Sequence, residues 1–151
     1  MFRFKVNSTD NIHAGSLIYC KGENSFDFVP SNNADILFLV GYLHIGVDSE
    51  TMTAQQVWGL QPYESWIKKT LSIPDFIKGQ LMVEGDILPG MSYRIEGSEN
   101  WISQFDSQTG WVCIGESEKV KSDSFIKFAD NTIAVINEGK LKSIWLKPKV
   151  E

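Results

Sequence analysis

The sequence predicts a mainly β protein: a single domain over residues 1–151, built as an antiparallel β-sandwich or strongly twisted sheet with one short helix near 62–71. A half-open barrel is the main alternative. Three observations carry this expectation. The stretch Ile36-Leu-Phe-Leu-Val-Gly-Tyr-Leu-His-Ile-Gly-Val47 is apolar on both strand faces, as a central strand must be. Short runs of β-branched and aromatic residues recur along the chain between turn-forming Gly, Asn, Asp and Ser. Five Trp and nine Phe supply large rings for packing against a pleated surface.

Read from the start, candidate strands fall at 2–6, 16–21, 26–29, 36–47, 53–59 and 80–84, then at 91–96, 101–105, 111–115, 125–128, 132–136 and 140–147. Met1-Phe-Arg-Phe-Lys-Val6 alternates apolar and polar. As one strand, 36–47 sends Ile36, Phe38, Val40, Tyr42 and His44 one way and Leu37, Leu39, Leu43, Ile45 and Val47 the other. Pro62-Tyr-Glu-Ser-Trp-Ile-Lys-Lys-Thr-Leu71 breaks the pattern, with Pro at a first helical position, Glu64 in the first turn and Lys68 and Lys69 in the last. Tyr63, Trp66, Ile67 and Leu71 would share one face, a lid across the sheet that Pro74 ends. Two hairpins follow. Trp101–Phe105 and Trp111–Ile114 flank the polar loop Asp106-Ser-Gln-Thr-Gly110, and with Phe105 facing Trp111 they would put Trp101, Phe105, Trp111 and Cys113 on one face. Ile133–Ile136 and Leu141–Leu146 flank Asn137-Glu-Gly139, and Pro148 ends the last strand.

The formal charge is −5 and unevenly spread. Between Leu81 and Glu118 seven acids face one base, Arg94; from Lys119 onward seven Lys face four acids. Net acidity argues against a nucleic-acid partner, and the Lys-rich end is the only opening for one. The N-terminus lacks the apolar run of roughly 7–15 residues that marks a signal peptide, and no stretch approaches the ~18 apolar residues of a membrane span. The expectation is a cytoplasmic protein without nucleic-acid or membrane partners. Cys20 and Cys113 stand 93 positions apart without metal-ligand spacing, and read as buried reduced thiols.

Few residues suggest chemistry, so no catalytic residue, metal or cofactor is assigned. His13 sits in a polar, turn-like stretch and reads as an exposed loop residue. His44 lies among apolar neighbours, where burial would shift its pKa; its plainer role is a structural histidine. A nucleophilic pairing of His44 with Cys20 or Cys113 has no local motif behind it. Asp48/Glu50 and Glu116/Glu118 read as solvated turn acids, because a calcium loop needs a longer ordered run of oxygen ligands. Two binding surfaces remain. One is an acidic face, Glu96, Glu99, Asp106, Glu116 and Glu118 around Trp101, suited to a basic protein partner. The other is an aromatic pocket for a small ligand or carbohydrate, from Tyr42, His44, Trp58 and Trp66 beneath the helix.

Val47-Asp-Ser-Glu-Thr-Met52 with Val57-Trp-Gly-Leu-Gln-Pro-Tyr-Glu-Ser-Trp66, Thr109-Gly-Trp-Val-Cys-Ile-Gly115, Asn131-Thr-Ile-Ala-Val and Ser143-Ile-Trp-Leu-Lys-Pro148 together resemble small bacterial toxin-immunity proteins. The resemblance spans roughly Asp35 to Pro148 and is one of texture, without a diagnostic motif. It implies a non-enzymatic protein that binds and neutralises a cognate toxin in the cytoplasm, and the acidic face expects that toxin to be a basic protein. It implies no particular site residue, since such families share neither fold nor contact surface.

Overall fold

The computed structural model describes residues 1–151 as fifteen strands and two 3-10 turns, with no α-helix. The strands are β1 (Phe2–Ser8), β2 (Ser16–Cys20), β3 (Ser25–Val29), β4 (Ile36–Val40), β5 (Leu43–Asp48), β6 (Thr53–Leu60) and β7 (Ile67–Lys68). They continue as β8 (Ile77–Gly85), β9 (Ser92–Arg94), β10 (Ser103–Phe105), β11 (Val112–Gly115) and β12 (Ser124–Ala129). β13 (Thr132–Asn137), β14 (Lys140–Leu146) and β15 (Lys149–Val150) complete the set. They form one strongly curled mixed sheet, a half-barrel, in the order β15-β2-β3-β6-β8-β12-β13-β14-β11-β10-β7. β1 adds to β8, β5 to β6, β4 to β5 and β9 to β4. No helix is long and apolar enough to cross a membrane.

The sheet is not wholly antiparallel. β4 with β9, β7 with β10, β8 with β12 and β2 with β15 pair in parallel over two or three residues each. Parallel partners are joined by long connections, which leave no turn signal in the sequence. So β7 and β15 are absent from the predicted set, and Pro148 interrupts the C-terminal strand pairing without ending it.

The segment 36–47 is two strands. Gly41 (φ +60) and Tyr42 form a two-residue turn between β4 and β5, with Val40 opposite Leu43. Glycine in the first turn position supplies the positive φ that a tight hairpin needs. The turn also resets the side-chain alternation. Ile36, Phe38, Val40, Leu43, Ile45 and Val47 all point inward and are buried, while Leu37, Leu39 and His44 are half-buried on the outer face. A periodicity count run through a turn assigns the second strand to the wrong face.

The expected helix at 62–71 is also corrected. Tyr63–Ser65 is a single 3-10 turn, Trp66 is extended (φ −71, ψ 129), and Ile67–Lys68 joins the sheet. Ten residues are too few to form a helix on local propensity alone, and packing decides their course. Here the Trp66 ring lies 4.7 Å from Tyr19 and 5.4 Å from Phe105, so this segment inserts a side chain into the core instead of lying across it.

Two apolar layers result. The concave side holds the main core, including Phe4, Phe26, Phe38, Val57, Phe128 and Ile144. On the other side of β11, β13 and β14, Leu71, Trp111, Cys113, Ile133, Val135 and Trp145 form a smaller cluster. The predicted Trp101/Phe105/Trp111/Cys113 face does not form. Phe105 pairs with Val112, one residue from the expected register, so Trp101 and Phe105 join the main core while Trp111 and Cys113 join the other. The second hairpin turns where expected, with positive φ at Glu138 (+50) and Gly139 (+79).

Candidate functional site

A cleft of about 530 Å³, called the seam cleft below, lies where the β4–β5 turn and the end of β6 approach β10 and β11. Its walls come from the β4–β5 turn, the end of β6, the segment entering β7, the 3-10 turn Ser98–Asn100 and strands β10 and β11. Buried Val40 and Ile114 line its inner wall. Its rim carries apolar side chains in water: Tyr42 is 78% exposed, Leu60 54%, Ile67 50% and Ile102 51%.

Hydrogen bonds fix this geometry. The buried Ser98 hydroxyl accepts the Gly41 N–H at 3.1 Å and donates to the Leu39 carbonyl at 3.2 Å, joining the hairpin tip to the 3-10 turn. Across the cleft, the Tyr19 hydroxyl donates to the Gln61 carbonyl, and the Gln61 Oε1 accepts from Ser103 at 3.2 Å. The exposed Tyr42 ring and the branched side chains thus stand on anchored backbone.

Trp101 and Ile102 form a ridge shared with a second cleft, of about 330 Å³, into which Gln104, Glu116, Glu118, Lys69 and Lys142 face. Of the acids expected to form one face, the structure brings Glu99, Glu116 and Glu118 to this ridge. They are interleaved with bases. Glu99 stands 4.0 Å from Arg94, and Lys142 is committed to the buried Asp123 carboxylate at 2.6 Å. Counting along the chain missed Lys69 and Lys142, which the topology carries in from distant strands. Glu116 and Asp48 each accept an N–H of their own turn, at 3.0 and 2.9 Å, as solvated turn acids do.

The remaining expected residues lie elsewhere. Glu96 is exposed in a separate crevice with Phe2, Phe4 and Lys140. Asp106 is buried; it accepts N–H bonds from Leu71 at 2.9 Å, Gln108 at 2.9 Å and Thr109 at 3.3 Å, and these hold its carboxyl below the ordinary range. It organises its loop and is not offered to solvent. The aromatic-pocket set is dispersed. Tyr42 stands on the cleft rim, His44 and Trp58 pair across β5 and β6 with rings 5.3 Å apart, and Trp66 packs inward. Burial lowers the His44 pKa, and its Nδ1 has no hydrogen-bond partner. His13 is half-buried rather than exposed: it bridges to Ala129, its N–H donates to the Phe128 carbonyl at 3.1 Å, and burial lowers its pKa.

Neither thiol gathers a nucleophilic constellation. Cys113 is fully buried, and burial pushes its thiol up to about 12, so it is protonated at neutral pH. No three His, Cys, Asp or Glu side chains come together as a metal site requires.

Sequence reasoning missed Leu60, Ile67 and Ile102. One signal was available for Ile102. In Trp101-Ile-Ser-Gln-Phe105 it falls on the polar face with Gln104, where an apolar residue has no core to enter. No family model matches the chain, and a search of curated proteins finds no match.

Proposed function

We propose that this protein is a non-enzymatic binding module that engages a basic protein partner through the seam cleft and the Trp101–Ile102 ridge. One observation carries the reading: four large apolar side chains stand exposed on anchored backbone around one concave site, with Glu99, Glu116 and Glu118 at its margin. Apolar and aromatic side chains at the centre of a patch supply binding energy, and charges at its rim set orientation and encounter rate. With Arg94 paired to Glu99 and Lys142 to Asp123, Glu116 and Glu118 oppose only Lys69. The residual charge is negative, as is that of the whole chain. The resemblance to immunity proteins adds that the partner would be a cognate toxin, and the cytoplasm the place of encounter.

The test compares partner capture by the wild-type chain and by a Glu99→Lys/Glu116→Lys/Glu118→Lys variant at low and raised salt. The reading expects one stoichiometric basic partner, weakened by salt and lost with the variant. Equal capture by both chains at both salts contradicts it. A small-molecule reading survives in altered form, since the cleft volume suits a ligand and Tyr42 and Trp101 both line it. That reading expects Tyr42 and Trp101 to respond to a compound and no protein to be retained.

A further inference from the structure

A strip outside the candidate site carries charge opposite to that of the whole chain. Residues 72–78 run beside strand β12 and the loop leading to it. Lys119 Nζ lies 3.3 Å from the Ser72 hydroxyl and 3.3 Å from the Ile73 carbonyl oxygen. Lys127 Nζ stands 5.6 Å from the centre of the Phe76 ring. Lys78 is in register with Lys127, so their side chains leave the same face of the sheet. Lys121 follows in the loop. Against these four lysines stand two exposed acids, Asp75 and Glu118, the second directly before Lys119, since Asp123 is sealed beneath Lys142 at 2.6 Å; the strip keeps a net positive charge. Apolar side chains stand among them: Ile73 is 39% exposed, Phe76 38% and Val120 51%.

We propose that this strip is a contact surface for an anionic lipid bilayer. Lysine ammonium groups neutralise acidic headgroups, while their alkyl stems and neighbouring apolar side chains enter the boundary between headgroups and acyl chains. Lys127 over Phe76 already has that arrangement, an apolar body beneath a cationic tip. Nucleic acid fits less well. Ile73, Phe76 and Val120 would face phosphates, and the chain's two arginines, Arg3 and Arg94, lie elsewhere, beside Glu84 and Glu99. The net acidity of the rest of the molecule is repelled by acidic headgroups, so this strip would be the face turned toward them.

The experiment is flotation of the full chain with phosphatidylcholine vesicles, with and without phosphatidylglycerol, alongside a single-stranded oligonucleotide. The proposal expects association with the phosphatidylglycerol vesicles alone, weakened by salt. Lys78→Gln with Lys127→Gln lowers the partition roughly thirtyfold, on the basis of about 1 kcal/mol per lysine. Lys121→Gln, at an exposed loop position apart from the Lys119 bonds to Ser72 and Ile73, lowers it roughly fivefold by the same measure. Phe76→Ser weakens association without altering its salt dependence. Failure to float, equal association with neutral vesicles, or retention of the oligonucleotide in place of vesicles overturns the proposal.

Discussion

Lys142 and Asp123 form the only buried ion pair in the fold: the Nζ to Oδ2 distance is 2.6 Å, and the Asp123 side chain has no exposed surface. Burial alone would raise this carboxyl's pKa. The Lys142 ammonium, the Val120 N–H and the Asn137 amide outweigh that and hold it below the ordinary value. Removing the lysine leaves a buried carboxylate without its cation, so Lys142→Met is expected to destabilise the fold by about 3 kcal/mol. Because the folded-state pKa is depressed, the Asp123 contribution is complete above the ordinary carboxyl range and disappears as pH falls through the folded value. Urea unfolding of wild type and Lys142→Met from neutral to acid pH checks both statements. The gap between the two chains should narrow at the acid end.

Gly46 leaves room for Trp58. A Cβ at position 46 would come within 2.6 Å of the indole ring and 2.7 Å of the Ala34 Cβ. Gly46→Ala is therefore expected to cost about 1–3 kcal/mol through overpacking. Trp58→Leu in the same chain should restore part of that loss, a non-additivity that a double-mutant cycle measures.

The two cysteines differ in environment. Cys20 is partly exposed, whereas burial both covers the Cys113 thiol and raises its pKa to about 12. A disulfide exchange reagent at neutral pH should titrate one thiol in the native protein and two after denaturation. Two fast native thiols would contradict the placement of Cys113 in the outer cluster.

Ser98 ties the Tyr42 turn to the neighbouring 3-10 turn in the wall of the cleft. Ser98→Ala removes the acceptor of the Gly41 N–H and is expected to lower stability by about 1 kcal/mol. It should also speed amide exchange at Gly41 selectively, with exchange in the β13–β14 hairpin unchanged.

Much of the sheet was legible in the sequence because its strands carry local alternation and its hairpins carry local turn chemistry. Glu138 and Gly139 sit where a two-residue turn needs positive φ, and the flanking apolar residues pair as written. What was illegible depends on long-range pairing. Ile67–Lys68 is a strand only because Gln104 and Phe105 come beside it, and Lys149–Val150 only because of β2. At Gly41 the local signal existed but was read through, and this reversed the outward face of β5. The site was visible in pieces. Glu99 and Trp101 belong to the expected acidic face and Tyr42 to the expected aromatic pocket, and the curl of the sheet brings all three to one cleft. Asp106 was misjudged because an acid in a Gly-containing loop looks solvated whether or not it bonds the loop's N–H groups.

The most direct test of the proposed binding surface replaces one aliphatic residue on the cleft rim and one distant from it. Ile102 borders both clefts, whereas Leu88, 63% exposed, borders neither. Partner capture should be compared for wild type, Ile102→Asp and Leu88→Asp, with folding of each confirmed by circular dichroism. The account predicts a partner held by wild type and Leu88→Asp and weakened roughly thirtyfold by Ile102→Asp, the loss expected at a central apolar contact. Equal retention by all three chains, or retention lost only with Leu88→Asp, would contradict it.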